Sequence, residues 1–273
     1  GIPVPGDKTQ VMYVWFDALL NYITVLGYPE HADFKKFWPA EVQVIGKGIL
    51  RFHAAIWPGI LLALGLPLPK LLYVHGYVNV DGKKMSKSLG NAVSPMEVIE
   101  KYGADAFRYY FMRHVPSYED GDFTWANFAA AYNNELANEL GNAVQRTVAM
   151  VQKYQAGIVG DIPDDGHDIG AYQQALAECR FDRALDAVWE QIRGVNQLID
   201  VEKPWEIAKT GDELHLREVL ADIVSDLVEI AGLLEPFLPE TAAKIQQIFE
   251  GGLIHPIEGT LFPRLEEAAP EPA

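Results

Sequence analysis

The chain has 273 residues and a single cysteine, Cys179, which excludes a disulfide framework or a cysteine-cluster zinc site built from this sequence. Its net charge of −16 is unevenly spread: residues 1–160 hold 14 Lys+Arg against 14 Asp+Glu, and residues 161–273 hold 8 against 24. Counterion release by basic side chains drives indiscriminate phosphate binding, so any nucleic-acid contact here must be local and specific.

A hydrophobic content of 49% with 22% charge describes a globular protein with a sizeable core, long enough for two domains. The apolar run Ile56–Leu68 is interrupted by Pro58, Gly59, Gly65 and Pro67 and is too short to span a bilayer. With no signal peptide at the start, a soluble, cytoplasmic protein without membrane partners is expected. Position 1 is Gly and the apolar pattern begins almost at once, so the chain reads as the later part of a longer protein.

Three apolar runs in the first third, VMYVWF (11–16), VQVIG (42–46) and LLYVHGYV (71–78), predict buried strands. The stretch 48–65 between them predicts a helix ending near LGLPLP. Strands alternating with helices indicate an α/β arrangement with a parallel, doubly wound sheet, of which two or three strands form only half. From Ser94, SPMEVIEKYGADAFRYYFMR predicts a Ser-capped helix with Pro at its first position, broken at Gly103 into a second. SYEDGDFTWANF reads as a polar hinge. Beyond it, all-α helices are predicted at about 125–155, 168–200, 212–234 and 236–250. The spacing of Leu214, Val219, Ile223, Leu227, Ile230 and Leu234 supports the third of these. EEAAPEPA closes the chain as a disordered tail.

Residues 81–90, DGKKMSKSLG, gather three lysines within five positions. Alone, such a segment is an ordinary solvated turn at Asp81-Gly82. Three features favour a polyphosphate-holding loop. It follows a strand of a nucleotide-binding type of sheet, where ligands sit beyond the strand ends. Met85 between Lys84 and Lys87 can anchor the loop while the ammonium groups face outward. Gly82 and Gly90 bracket it and permit closing and reopening.

KMSKS at Lys84–Ser88, followed by LGN, resembles the signature loop of class I aminoacyl-tRNA synthetases. The resemblance implies that Lys84, Met85, Ser86, Lys87 and Ser88 close over ATP, carried with Mg²⁺. Lys87 would then be the principal catalytic cation and Lys84 its support, as pyrophosphate leaves. YVWFDALLNYI (13–23) and IGKGILRFHAAIWP (45–58) resemble the methionine-site segments of methionyl-tRNA synthetases. On that resemblance Trp15, Ala18, Tyr22, Ile49, Phe52 and His53 line a pocket for methionine, whose sulfur makes favourable contacts with rings. The family often carries aspartate at the place of Gly48 and proline at that of Leu19. In NELGNAVQR and EKPWEIAK, Asn142, Arg146 and Trp205 match family residues that read the anticodon, the ring stacking on its first base. Asn142 and Arg146 are four apart, on one helix face.

The implied organisation is half of a Rossmann-like catalytic domain with the lysine loop (1–93), connecting helices (94–124), a helical-bundle anticodon-binding domain (125–252) and a tail (253–273). The implied activity is ATP-dependent formation of methionyl-adenylate and transfer of methionine to its tRNA. A second signature of the class, His-x-Gly-His, does not occur in this sequence, nor does a zinc-binding insertion, so the chain alone is expected to be catalytically silent. Another class I synthetase for an aliphatic amino acid, and a non-catalytic tRNA-binding module, remain alternatives. The oligomeric state is not legible.

Overall fold

The computed structural model describes residues 2–85, 91–160, 162, 166, 168–256 and 259–265. The chain divides into two compact units, Gly1–Tyr77 and Val78–Ala273. Each has its own core.

The first unit opens with a hairpin of β1 (Pro3–Val4) and β2 (Asp7–Val11). The run 11–16, expected to be a strand, is not one: after Val11 the chain turns into α1 (Val14–Thr24). Its β-prone residues are overridden by a helical stripe that continues past them, with Leu19 and Ile23 buried four apart. After α2 (Ala32–Phe37) comes β3 (Val42–Gly46), then a 3₁₀ turn (Lys47–Ile49), a π-helical turn (Phe52–Ile56), α3 (Trp57–Ala63) and β4 (Leu71–His75). Strands β3 and β4 pair in parallel, from Val42 opposite Leu71 to Gly46 opposite His75. The intervening helical chain makes this a β–helix–β unit. Expected as wholly buried, β3 instead alternates: Gln43 and Ile45 are buried, while Val44 is 62% exposed. Leu19, Ile23, Trp38, Trp57 and Leu61 form the core. Trp38 meets Trp57 edge-on at 5.8 Å and donates its indole N–H to the Pro67 carbonyl at 3.1 Å.

The second unit begins with β5 (Val78–Val80) and β6 (Lys83–Lys84), joined by Asp81-Gly82. Both turn residues have positive φ, +50° and +71°, the requirement of the tight turn that matches strand twist. β5 also pairs in parallel with β7 (Gly121–Phe123), giving a sheet of order β6-β5-β7. The polar hinge expected at 117–128 therefore contains a strand. Helices α4 (Pro95–Tyr102) and α5 (Ala104–Arg113) are separated at Gly103, whose φ of +87° ends the first.

The expected helix 125–155 is continuous but changes pitch: α6 (Trp125–Ala131), a ten-residue π-helix (Tyr132–Gly141) and α7 (Asn142–Gln155). The expected helix 168–200 is two, α8 (Gly170–Ala177) and α9 (Phe181–Glu202). Cys179 between them has φ +53°, and the Arg180 amide turns back to the Ala175 carbonyl at 2.8 Å. α10 (Pro204–Thr210), α11 (Glu213–Leu234) and α12 (Pro239–Ile248) complete the unit. On α11 the core face runs through Leu216, Val219, Leu220, Ile223, Leu227 and Ile230; Leu214, expected there, is 68% exposed. The bundle core extends from Phe128 and Leu136 through Trp189 and Ile192 to Ile245 and Phe249.

Helix α5 holds the α11–α12 corner from both sides. The Asp105 carboxylate accepts from the Thr241 amide and hydroxyl, each at 2.7 Å, satisfying the N-terminus of α12. One turn on, Arg108 donates to the Phe237 and Pro236 carbonyls, both at 2.7 Å, beyond the end of α11.

Candidate functional site

In the first unit, four of the six expected pocket residues form one aromatic cluster. Trp15 and Tyr22 lie on α1, Phe52 and His53 on the π-helical turn. Trp15 stacks on Phe52, centroids 4.1 Å apart and planes 12° from parallel, and meets His53 edge-on at 5.9 Å. Tyr22 lies edge-on to His53 at 5.7 Å. His53 is 4% exposed and bonded through both ring nitrogens: Nδ1 lies 3.0 Å from the Ile49 carbonyl and Nε2 2.9 Å from the Tyr22 hydroxyl. A carbonyl only accepts, so Nδ1 carries the proton there. In the singly protonated ring Nε2 then accepts from the tyrosine O–H. Burial pushes the Tyr22 phenol above its ordinary pKa, which keeps that proton in place. Ile49 contributes its backbone carbonyl. Ala18 is exposed on the face of α1 that carries Trp15 and Tyr22, with spacings of three and four.

Sequence reasoning did not pick out Trp57, which packs against Tyr22 at 5.7 Å, or Tyr13 and Arg51, both within reach of the Phe52 ring. The four-residue step from His53 to Trp57 was the available signal. At Gly48 a side chain would run into the Tyr77 hydroxyl, whose ring lies 4.8 Å beneath the Lys47 ammonium. Tyr77 thus stands in the way of a side chain at the position where the family often has aspartate.

The lysine segment is only partly described: Ser86, Lys87 and Ser88 lie outside the described residues. Its root is well tied. Lys84 opposes Asn79 across the β5–β6 hairpin, and the Lys84 carbonyl accepts from the Asn91 side chain at 3.3 Å. The Gly82 amide donates to Asp122 at 2.9 Å, and the Asp81 amide to the Phe123 carbonyl at 3.3 Å. Both ends of the segment therefore leave from fixed points.

In the second unit the structure brings Arg146 of α7 against Trp205 at the start of α10, the guanidinium 5.9 Å from the ring centroid. Arg146 also donates to Asp200 at 2.8 Å, a partner on α9 that sequence reasoning missed. Asn142, one turn before Arg146, is exposed at the start of α7. Trp205 is half-buried, packed on the bundle core. A flat ring with a guanidinium over one side and an amide one turn away offers features that can take a stacked, hydrogen-bonding planar group on the other side.

No group of three or more metal-ligating side chains occurs among the described residues, and no helix there is long and apolar enough to cross a membrane.

Residues 1–148, more than half of the chain, match the family described as tRNA synthetases class I (M). The chain belongs to this family. It is 43% identical over 260 residues to the methionine–tRNA ligases of Listeria innocua and Listeria monocytogenes, and 42% identical to that of Bacillus subtilis. Each alignment covers 90% of this chain but 39% of the relative, so the chain spans about two fifths of the length of these relatives. Among solved structures, Mycobacterium tuberculosis methionyl-tRNA synthetase in complex with methionyl-adenylate superposes with a TM-score of 0.85 at 33% identity, over 97% of this chain and 58% of that one. Its apo form gives 0.84 at 30% identity, covering 98% and 59%. The mixed α/β and helical architecture of this chain is therefore one found in these synthetases.

Proposed function

We propose that this chain forms part of a methionine–tRNA ligase, which activates methionine with ATP as methionyl-adenylate and transfers it to its tRNA. What carries the reading is the 43% identity to methionine–tRNA ligases over 90% of the chain. The β3–β4 pair and its helices supply the second half of a Rossmann-like catalytic domain, and the helices from Trp125 onward an anticodon-binding bundle, with 94–124 connecting them.

In this reading Trp15, Ala18, Tyr22, Ile49, Phe52 and His53 hold the methionine side chain. Ala18 leaves room between two rings, and the rings offer the sulfur polarizable contacts. Apolar fit alone separates neighbouring amino acids by only about 1–3 kcal/mol, so the bonded Tyr22–His53 pair adds a polar requirement. Lys84 and Lys87 sit on the ATP phosphates, supported by Met85, Ser86 and Ser88. Their fixed charge stabilises that developing on the departing pyrophosphate, and Mg²⁺ arrives with ATP as part of the substrate. Asn142, Arg146 and Trp205 read the first anticodon base.

The experiment is a titration of this chain with methionine tRNA and with the same tRNA altered only at the first anticodon base, at one fixed salt concentration. Weakening of about 1–3 kcal/mol on the base change is expected. Equal affinity for the two would remove the anticodon reading. In a parallel assay the isolated chain should show no methionine-dependent ATP–pyrophosphate exchange; measurable exchange would overturn the assignment of a partial catalytic domain.

A further inference from the structure

The second unit contains a cavity of about 300 Å³ to which nothing above assigns a role. It is walled by the start of α8, the middle of α9 and the later turns of α11. Its apolar lining includes Tyr172, Val195 and Leu233. The Tyr172 hydroxyl donates to the Leu233 carbonyl at 2.8 Å and its ring meets Phe237 edge-on at 6.4 Å, so this wall is fixed. The polar lining consists of three carboxylates, Asp168, Glu190 and Asp226, and the carboxamide of Gln191. None of the described lining residues is Lys, Arg or His. Two arginines of α9 serve other acids, Arg183 reaching Asp186 at 3.7 Å and Arg193 reaching Glu139 at 4.0 Å.

Two observations independent of that charge point to an occupant. Gln191 Oε1 is buried with no hydrogen-bond partner among the described residues, although the side chain lines open space. A buried acceptor left unpaired is costly, and what completes it is an N–H or O–H donor. Gly194 lines the same space three residues further along α9, in the helix interior, where glycine is less favourable than any residue but proline. A Cβ there would meet nothing within 4 Å. No neighbour in the protein requires that bareness, and it enlarges the cavity.

The volume lies at the lower end of the roughly 300–1,000 Å³ typical of ligand pockets, which suits a small molecule. Carboxylates of one sign in a cleft attract cations and repel phosphates and carboxylates. The described residues contain no group of three or more side chains able to hold a metal ion, and an apolar wall gives nothing to a bare ion. An ammonium on a short apolar stem meets every feature. Its head donates to Gln191 Oε1 and to the carboxylates in charge-assisted bonds, its stem lies on Val195 and Leu233, and the Tyr172 ring favours positive charge beside it.

We infer that this cavity is a binding site for a small primary alkylammonium, a free amine, with Glu190 and Gln191 as contacts to its head group. The inference stands apart from the anticodon reading, since Asn142, Arg146 and Trp205 are not among the lining residues.

The test is a calorimetric titration of the full chain with pentylamine at neutral pH and one fixed low salt concentration. Pentanol, of equal stem length and no charge, is the control. Saturable binding of pentylamine, about tenfold tighter than pentanol or better, is expected. Glu190→Gln and Gln191→Leu should each weaken it about tenfold. Gly194→Leu fills the cavity and should remove binding while the thermal midpoint holds or rises, because leucine is the better helix former. Circular dichroism melting checks that the variants fold; Glu190 is exposed, so Glu190→Gln decides if the others do not. Unchanged pentylamine affinity in the folded variants makes the binding a diffuse attraction to an acidic surface and overturns the site. Equal affinity for pentanol makes the cavity merely apolar and overturns the ammonium assignment. Absence of saturable binding to the unaltered chain overturns the inference outright.

Discussion

His53 is fixed at both nitrogens, and that decides what a substitution there does. His53→Ala leaves the Ile49 carbonyl and the Tyr22 hydroxyl facing a void in a buried place. A destabilisation of about 2–3 kcal/mol is expected, from unsatisfied polar groups plus the cavity. Tyr22→Phe removes one hydroxyl and keeps the ring contacts, so about 1 kcal/mol is expected. Urea unfolding of the three proteins measures both, and equal losses would show that the histidine ring packs for nothing. At the other cluster, Arg146 has a bond to the exposed Asp200 carboxylate that contributes little to stability. It fixes the guanidinium over the Trp205 ring, 5.9 Å from the centroid.

At the scale of elements, the α5 clamp stands out because one helix caps the start of α12 and binds the carbonyls of the turn that leads into it. Asp105→Ala frees the Thr241 amide and hydroxyl, which are buried, at the N-terminus of α12. A loss of about 1–2 kcal/mol is expected, with Thr241→Val losing less since the amide bond survives. Urea midpoints rank the two, and a larger loss for Thr241→Val would show that the hydroxyl, not the helix cap, is what counts. Legibility also sorts by element. The helices 95–102, 104–113, 213–234 and 239–248 were readable because Ser94-Pro95, Gly103 and Pro239 punctuate a clear apolar period. β7 was not, because three residues in a polar stretch become a strand only by pairing with β5. The break at Cys179 was hidden too, since a left-handed residue that is not glycine carries no local sign. Aromatic residues in 11–16 suggested a strand until Leu19 and Ile23 are counted with them. Of the sites, the sequence named Trp15, Tyr22, Phe52, His53, Arg146 and Trp205, each of which meets another of the set. It could not show Asp200, because that partner is set by tertiary packing 54 residues away, and it gave no sign that Ile49 offers its carbonyl, because that depends on how the His53 ring turns back over one local turn.

Over the whole molecule, burial raises the phenol pKa of Tyr22, Tyr109, Tyr110, Tyr132 and Tyr172. In the unfolded chain these groups lose protons near pH ~10. The folded state then holds more protons than the unfolded one above that pH, so stability falls as pH rises past it and is unaffected by these groups below. Helical ellipticity should stay level from pH 8 to 9.5 and then drop together with the rise of tyrosinate absorbance. Full tyrosinate absorbance near pH 10 with helicity intact would contradict this. On the acid side Glu135 differs from Glu139. Burial raises both, but hydrogen bonds from His114 and Tyr109 outweigh it at Glu135 and bring that carboxyl below its ordinary value. Its contribution is lost only as pH falls through that lowered pKa.

The tight turn at Asp81-Gly82 has a practical bearing on how this chain is cut and rejoined. The turn is bonded to Asp122 and Phe123, and β5 runs beside β7, so the root of the lysine segment is built into the helical unit. A splice placed after Gly90, at the end of the most recognisable motif, would tear that sheet in two. A splice placed between Tyr77 and Val78 would leave the strand pairings on either side whole, and the lysines would travel with the helices.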